Sequence, residues 1–400
     1  MGRLVTNQLT SMRIVLFTSQ ILNALDYARG FSGISHTVAI LILVPKRMRN
    51  YYYSSMASFG NVYSSNVVIE PIFLRSVDER IANILNPLTA IHDFRRIVAA
   101  LRNHKPDVVI GMYVNHAYPL VFIKKFMNFH LFTIVSGGDL ELSAGYPWRL
   151  LRRLVYSQSE RIFTVAHKLQ REIKEESGLD STVIPTGTET NFFKPIQVPQ
   201  GVYQRYGCSE TDFVILTLSQ LLERKRVGDV IRAFKTFREE CPASNAKLII
   251  AGEGPEKRRL MNLRTELDLD GDIVFAGFVS NDEKVQLFNI ADVYVMASYQ
   301  EGLPFSLMEG MSCGTLCLCS NVGDIPEVVK DGVNGFLVAP RNPGELARRI
   351  REIRDLSPKD IETIRHEARR TITRSFESTE LGRCMISFVE RDLRDRHKDA

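Results

Sequence analysis

The stretch VYVMASYQEGLPFSLMEGMSCGTLCLCS (293–320) carries a complete folding unit. It opens on an apolar run of strand length, VYVMAS, and closes on another, TLCLCS (315–320). Between them YQEGLP supplies a glycine and a proline, and the residues to Ser312 have room for one short helix. Pro304 suits the first helical turn, where a missing N–H costs nothing, and Gly314 fits the helix end. Strand, loop, helix and strand in this order describe a parallel βαβ unit. Glu301 falls in the loop and Glu309 inside the helix, eight positions on.

The same alternation extends in both directions. Towards the C-terminus GFLVAP (335–340) reads as a strand; towards the N-terminus FVILTLS (213–219), KLIIAGE (247–253) and DIVFAGF (272–278) do, with VGDVIRAFKTFREE (227–240) and NDEKVQLFNIA (281–291) as helices between them. It pauses around 186–212, where FFKPIQVPQGVYQRYGCSETD is rich in proline, glycine and polar residues and reads as a linker. Before that, RIVLFT (13–18), DVVIGM (107–112), LFTIV (131–135) and RIFTVA (161–166) read as strands, VAILILV (38–44) as a core segment, and IHDFRRIVAALRNH (91–104) as a helix that Pro106 ends. The expected architecture is α/β: two Rossmann-like, doubly wound domains facing across a cleft, over 12–200 and 201–375, then a C-terminal helix and charged tail over 376–400, the tail read as a solvated helix end. Ligands of such sheets bind beyond the carboxyl ends of the strands. Residues 1–11 read as a loose leader without a signal peptide's apolar core.

Composition narrows the function. The 400 residues are 44% hydrophobic and 24% charged, with a net charge of only +5, far weaker than a dedicated nucleic-acid binder carries. No apolar run approaches the length of a spanning helix. Six cysteines, three of them in CGTLCLC (313–319), lack the second knuckle of a zinc site and read as small buried thiols of a reducing cytoplasm. The histidines form no metal-binding pair, DLD (268–270) lies in a charged turn with too few oxygen ligands for a hard cation, and GEG (252–254) lacks the third glycine of a dinucleotide fingerprint. No metal and no cofactor are expected.

At the head of the helix after 304, the N–H groups of Phe305, Ser306 and Leu307 have no intrahelical partner. Together with the helix dipole they form an anion site of the kind that takes phosphate. Gly302 lets a ligand approach the backbone. A phosphate between two carboxylates would be repelled, so Glu301 and Glu309 are better placed to accept hydroxyls at the two ends of a nucleotide sugar. The plain alternative is one capping glutamate and one solvated glutamate. Arg224, Lys225 and Arg226, in the strand-to-helix turn of SQLLERKRVGDV (219–230), would neutralise a diphosphate.

These residues resemble the GT4 family of retaining glycosyltransferases (group 1), which has the GT-B fold, and the resemblance implies a C-terminal helix that returns to the N-terminal domain. The resemblance covers nearly the whole chain from Met12 and is strongest over 213–350. The family's E-x7-E signature matches Glu301 through Glu309 in SYQEGLPFSLMEGMSCG (298–314), with Gly310 where alanine is common. Its SRLxxxKG motif appears as SQLLERKR, with Gln220 in place of the arginine. AGEGP (251–255), GFV (277–279), VGDIPEVVKDGVNGFLV (322–338) and IPTGTETNFFKP (184–195) also match. The resemblance implies that Glu309 binds the nucleotide ribose and that Arg224 and Lys225 bind the diphosphate. It implies that Glu301, with the amides of Gly302, Leu303, Pro304-linked Phe305, Ser306 and Leu307, holds the donor sugar and phosphate. Phe278 would lie by the base, with Gln220 and Gly254 alongside the donor. In the N-terminal half, Gly30 and Gly33 stand where the family has a glycine-rich loop near the donor phosphate. Ser136 replaces the histidine of the HGxD motif, leaving Asp139 to position donor or acceptor. A front-face transfer can use the leaving diphosphate as base, so the missing histidine does not exclude catalysis.

The implied activity moves a hexose from a nucleotide diphosphate sugar, UDP- or GDP-linked, to a hydroxyl of a glycan, lipid or lipid-linked acceptor, with no metal and no nucleic acid. The other readings are a sugar-nucleotide epimerase or phosphorylase, and a non-catalytic sugar-nucleotide-binding partner subunit. YPWRLLRRLVYSQSER (146–161) interleaves Arg149, Arg152 and Arg153 with Trp148 and leucines, and FIKKFMNFHLF (122–132) adds lysines and phenylalanines. An amphipathic helix of this kind can hold a cytoplasmic protein peripherally on an anionic bilayer; the alternative is an ordinary helix packed on the sheet.

Overall fold

The computed structural model describes residues 11–18, 36–45, 67–74, 87–136 and 146–399. The chain forms two compact units. One is Met1–Pro185 with Ser378–Ala400; the other is Thr186–Glu377. The division falls at 185/186 rather than 200/201, because the proline-rich segment is no linker. Its Phe193, Val202, Tyr206 and Cys208 are buried in the core of the second unit, and the amide of Ile196 donates to Asn289 Oδ1 at 2.9 Å.

In the first unit the described elements are β1 (Arg13–Thr18), β2 (Thr37–Pro45), β3 (Val67–Leu74), α1 (Pro87–His104), β4 (Val108–Met112), α2 (Val114–Ile123), β5 (His130–Val135), α3 (Tyr146–Gln158), β6 (Arg161–Thr164), α4 (His167–Ser177) and β7 (Thr182–Val183). The strands form one parallel sheet in the order β3-β2-β1-β4-β5-β6-β7. β1, β4 and β5 are almost wholly buried, as sheets covered on both faces require. One face packs on α1, α2 and α3. The other is covered by the helix Ser378–Asp399, whose Met385, Ile386, Val389 and Leu393 join Ile14, Leu16, Ile110 and Phe132. The charged tail, exposed over 394–396, is nonetheless tied to this unit by ion pairs. Asp392 takes Arg161 at 2.6 and 2.7 Å, Arg396 pairs with Glu160, and Glu390 lies 3.2 Å from His36.

The second unit continues with α5 (Val202–Arg205), β8 (Phe213–Leu218), α6 (Val227–Glu240), β9 (Ala246–Ala251), α7 (Lys257–Glu266), β10 (Ile273–Gly277), α8 (Asn281–Ile290), β11 (Val293–Met296), α9 (Phe305–Ser312), β12 (Leu316–Ser320), α10 (Ile325–Val328), β13 (Phe336–Val338), α11 (Pro343–Arg354) and α12 (Pro358–Ser375). Its parallel sheet runs β10-β9-β8-β11-β12-β13. The order reverses between β8 and β11, which pair through Val293↔Ile215 and Tyr294↔Leu216. Such a reversal opens a crevice at the carboxyl ends of the two strands. The turn after β8 and the loop after β11 meet there.

Local chemistry fixes the helices around that crevice. Ser280 and Glu283 form a reciprocal capping box that starts α8. Pro304 is the residue before α9, in extended conformation, rather than its first helical residue. Gly314, at φ 74°, ends α9. At Gly310, where alanine is commoner, a Cβ would stand 3.0 Å from the ring of Phe288, itself fully buried and edge-on to Tyr294.

Candidate active site

Glu301, in the β11–α9 loop, is only 7% exposed at its side chain. Its Oε1 accepts from Ser298 Oγ at 2.7 Å and pairs with Lys225 Nζ, while Oε2 lies 3.3 Å from Arg224 Nη1. Arg224 also reaches the carbonyl of Gln300 at 3.3 Å, and its own carbonyl accepts from the amide of Tyr299 at 3.0 Å. The turn after β8 and the loop after β11 are thus joined through both backbone and side chains. Burial pushes the Lys225 ammonium below its ordinary range against the pull of Glu301. Arg226 turns away: at φ 52° it precedes α6 and binds Asp229 at 2.8 and 3.0 Å.

The first turn of α9 is anchored from below. The phenol of Tyr294 lies 3.2 Å from the carbonyl of Leu218 and 2.9 Å from Ser306 Oγ, tying the end of β8 to the helix head. Leu307 is fully buried, and Leu303 and Phe305 pack partly on the same core. Helix geometry leaves the leading N–H groups of α9 unpaired within the helix. Gly302 is exposed, and a Cβ on it would meet nothing within 4 Å. The close backbone approach is made instead by Gly323, at φ 56°, where a Cβ would lie 2.0 Å from the carbonyl of Glu301.

Glu309 is buried and faces Lys284 of α8, whose Nζ lies 3.1 Å from Oε1 and 3.2 Å from Oε2. It is neither a cap nor a solvated residue. Burial raises its carboxyl pKa, and Lys284 opposes that rise. Gly254 lies in the loop after β9, at φ 159°, with Leu221 so close that a Cβ would stand 2.4 Å from its carbonyl. It lets that loop cross the turn carrying Arg224 and Lys225. Gln220 is exposed beside this crossing. Phe278, after β10, is 79% exposed, an aromatic face without cover in its unit.

The second unit therefore brings together Arg224, Lys225, Glu301, Gly302 and the head of α9, with Glu309 in the next helical turn. Sequence reasoning missed Ser298, Lys284, Tyr294 and Gly323. Lys284 had a signal: it stands three and four positions before the buried Leu287 and Phe288, on one helix face.

In the first unit, Gly30, Gly33 and Asp139 lie outside the described residues, as does the leader before residue 11. Ser136 follows β5 and is half-buried. The turn after β4 holds Tyr113 at φ 72°, and His116 Nδ1 lies 2.6 Å from the carbonyl of Met112. In helix α3 two of the three arginines have partners within the unit. Arg152 is 4% exposed and bonds both oxygens of Glu176 at 2.9 to 3.2 Å. Arg153 bonds the Glu176 carbonyl at 2.6 and 3.0 Å. Two of the three arginines thus hold the carboxyl end of α4. Leu150, Leu154, Phe122 and Phe126 remain exposed. Among the described residues no helix is long and apolar enough to cross a membrane, and no group of three His, Cys, Asp or Glu side chains stands ready for a metal ion. Asp270 of the DLD turn is taken by Arg264 at 2.7 Å. Of the cysteines, Cys208, Cys241, Cys313, Cys317 and Cys319 are buried free thiols, whereas Cys384 is exposed.

Residues 204–371 match the family model described as Glycosyl transferases group 1, and residues 26–192 match the one described as Glycosyltransferase Family 4. The chain is 30% identical over 209 residues to N-acetyl-alpha-D-glucosaminyl L-malate synthase of Bacillus anthracis, over 51% of this chain and 53% of that one. The chain thus spans about half the length of this curated relative. Among solved structures, a glycosyltransferase of Rickettsia africae superposes with a TM-score of 0.77 at 16% identity, over 96% of this chain and 99% of that one. Anabaena HepE, solved in complex with UDP, gives 0.75 at 17% identity, over 95% and 100%. Likeness at such identities speaks for the fold, that of the GT-B glycosyltransferases.

Proposed function

The chain belongs to the group 1 glycosyl transferases, and on that premise we propose that it moves a hexose from a UDP- or GDP-linked sugar to a hydroxyl of a glycan, lipid or lipid-linked acceptor, with retention of anomeric configuration. The observation that carries this reading is the enclosure of Glu301 by Arg224, Lys225 and Ser298 at the head of α9. It puts two cations, unpaired helix amides and a hydroxyl-accepting carboxylate within one side chain's reach. On this reading Arg224, Lys225 and the head of α9 take the diphosphate, so no metal is required. Glu301 accepts from donor-sugar hydroxyls, Glu309 from the ribose, and Phe278 lies against the base.

For the transfer, the acceptor oxygen bonds to the anomeric carbon as the bond from that carbon to the phosphate oxygen breaks. The departing diphosphate takes the acceptor proton. Arg224 and Lys225 stabilise the charge that develops on it. The exposed Leu150, Leu154, Phe122 and Phe126, with exposed Arg149 and Lys125, favour a peripheral contact with an anionic cytoplasmic membrane face, where a lipid-linked acceptor would reside. Flotation with anionic vesicles, compared with Leu150→Ser/Leu154→Ser, tests that part alone.

The donor reading is tested by thermal shift with UDP-, GDP-, ADP- and TDP-sugars on wild type and Glu309→Ala. A donor at 100 times its Kd stabilises by about 2.7 kcal/mol. A shift with one nucleotide, lost in Glu309→Ala, supports the site; turnover with a supplied acceptor then separates the enzyme from a binding-only partner subunit. A well-folded protein that no nucleotide shifts contradicts the reading.

A further inference from the structure

Glu309 is a buried carboxylate with a single cation bonded to it among the described residues. That cation comes from another helix: Lys284, one turn into α8, spans both oxygens at 3.1 and 3.2 Å and is itself 19% exposed. The ring of Phe193 lies 5.9 Å from the same ammonium. The other titratable groups around α9 are committed elsewhere. Arg369 of α12 spends its guanidinium on the carbonyls of Thr190, Phe193 and Ser312. Cys313, just after α9, and Cys317 of β12 are buried thiols, and Tyr294 of β11 faces Ser306.

We infer that Lys284 is a positioning residue for the donor's ribose: by bridging both oxygens of Glu309 it keeps that carboxylate ionised and oriented to accept two hydroxyls of a nucleoside diphosphate. This rests on the proposed donor site and names the group that makes its ribose end work. The physical reason is the cost of charge in a dry setting. A carboxyl buried as Glu309 is favours its neutral form, and only Lys284 opposes that preference. An ionised carboxylate accepts through every lone pair; the protonated acid gives up one acceptor oxygen to its own proton. A vicinal diol offers two donors and is best met by the ionised form. With the ammonium removed, Glu309 keeps its proton to a higher pH. Diol binding then weakens near neutrality and returns as rising pH restores the carboxylate.

The test uses UDP, GDP and their 2′-deoxy counterparts, titrated calorimetrically at pH 6.5, 7.5 and 9.0 into wild type, Lys284→Met, Lys284→Arg and Glu309→Gln, each checked for cooperative unfolding. Wild type binds one ribonucleotide with a weaker pH dependence than Lys284→Met and prefers it to the deoxy form. Lys284→Met loses about tenfold or more at pH 7.5, roughly one unit of pKa change in energy, and regains most of it at pH 9.0. Lys284→Arg stays close to wild type. Glu309→Gln, a neutral side chain of the same shape, is weakened equally at every pH. This last variant decides the matter if Lys284→Met does not fold, because wild-type affinity in Glu309→Gln shows that the charge is irrelevant. A folded Lys284→Met that binds like wild type, or is weakened equally at every pH, overturns the role of Lys284 and leaves the donor site standing. Wild type that binds no nucleotide overturns both.

Discussion

Lys225 and Glu301 stand 76 positions apart and meet as an ion pair at the order reversal of their sheet. Their side chains are 12% and 7% exposed, so the pair is held away from most of the water that weakens surface bridges. Removing the ammonium strands a buried carboxylate with only Arg224, at 3.3 Å, and the Ser298 hydroxyl. Lys225→Met is expected to lower unfolding free energy by about 3 kcal/mol, measured by urea denaturation. It also weakens nucleotide diphosphate binding roughly tenfold or more, read by titration.

Two glycines of the site part company in their response to alanine. At Gly254 the new Cβ would meet the Leu221 carbonyl at 2.4 Å with φ at 159°, and a loss of about 2–4 kcal/mol is expected. At Gly302 the space is open, and the stability change should stay within about 0.5 kcal/mol. If a ligand occupies that space, Gly302→Ala weakens binding while leaving the melting temperature of the free protein unchanged. Calorimetry with and without nucleotide reads both.

His116 is buried, and burial pushes its imidazole down to about 4 from an ordinary 6.5, the hydrogen bond to Met112 opposing only in part. It folds neutral. Its contribution is complete above pH 6.5 and is lost as pH falls from there through about 4, because the unfolded chain takes up the proton first. The full span corresponds to about 3 kcal/mol. His116→Gln should flatten the acid limb of the stability–pH curve. An NMR titration that places His116 near 6.5 contradicts this.

Thiol chemistry should single out one of six cysteines. Burial pushes Cys208 up to about 11 and Cys313 up to about 12, and Cys317 and Cys319 are enclosed in β12, whereas Cys384 is exposed. Brief alkylation of the native protein at pH 8, followed by peptide mass mapping, is expected to modify Cys384 and spare the five buried thiols.

The sheet of each unit could be read from the sequence because its strands are continuous apolar runs. VYVM and LCLCS are buried residue after residue, as is FVILTL after Phe213, and the length of such runs places them. What escaped depends on through-space meetings. The segment 186–212 has a linker's composition, yet Phe193 and Tyr206 find a core that no local pattern announces. VVIEPIFL (67–74) forms β3 at the sheet edge although proline and glutamate interrupt its run. Glu301, Glu309, Arg224 and Lys225 were legible as candidates because their spacing repeats a known motif. Lys284, Ser298 and Tyr294 were not, since their importance is set by which neighbour each one touches. The partner of two α3 arginines was hidden for the same reason: charge was visible in the chain, but Glu176 was not visible as its partner.

The helix Ser378–Asp399 covers a sheet whose strands, Arg13 to Val183, all precede the other unit in the chain. Thr188 and Glu377, the two ends of the other unit, pair within it, with the Thr188 amide 2.8 Å from the Phe376 carbonyl. On the ribosome, therefore, the unit begun second has its whole sequence available first. The earlier-synthesised sheet waits with one apolar face uncovered until that helix emerges. A stalled or prematurely terminated chain would present a finished 186–377 body tethered to an open sheet, the kind of intermediate that chaperones recognise.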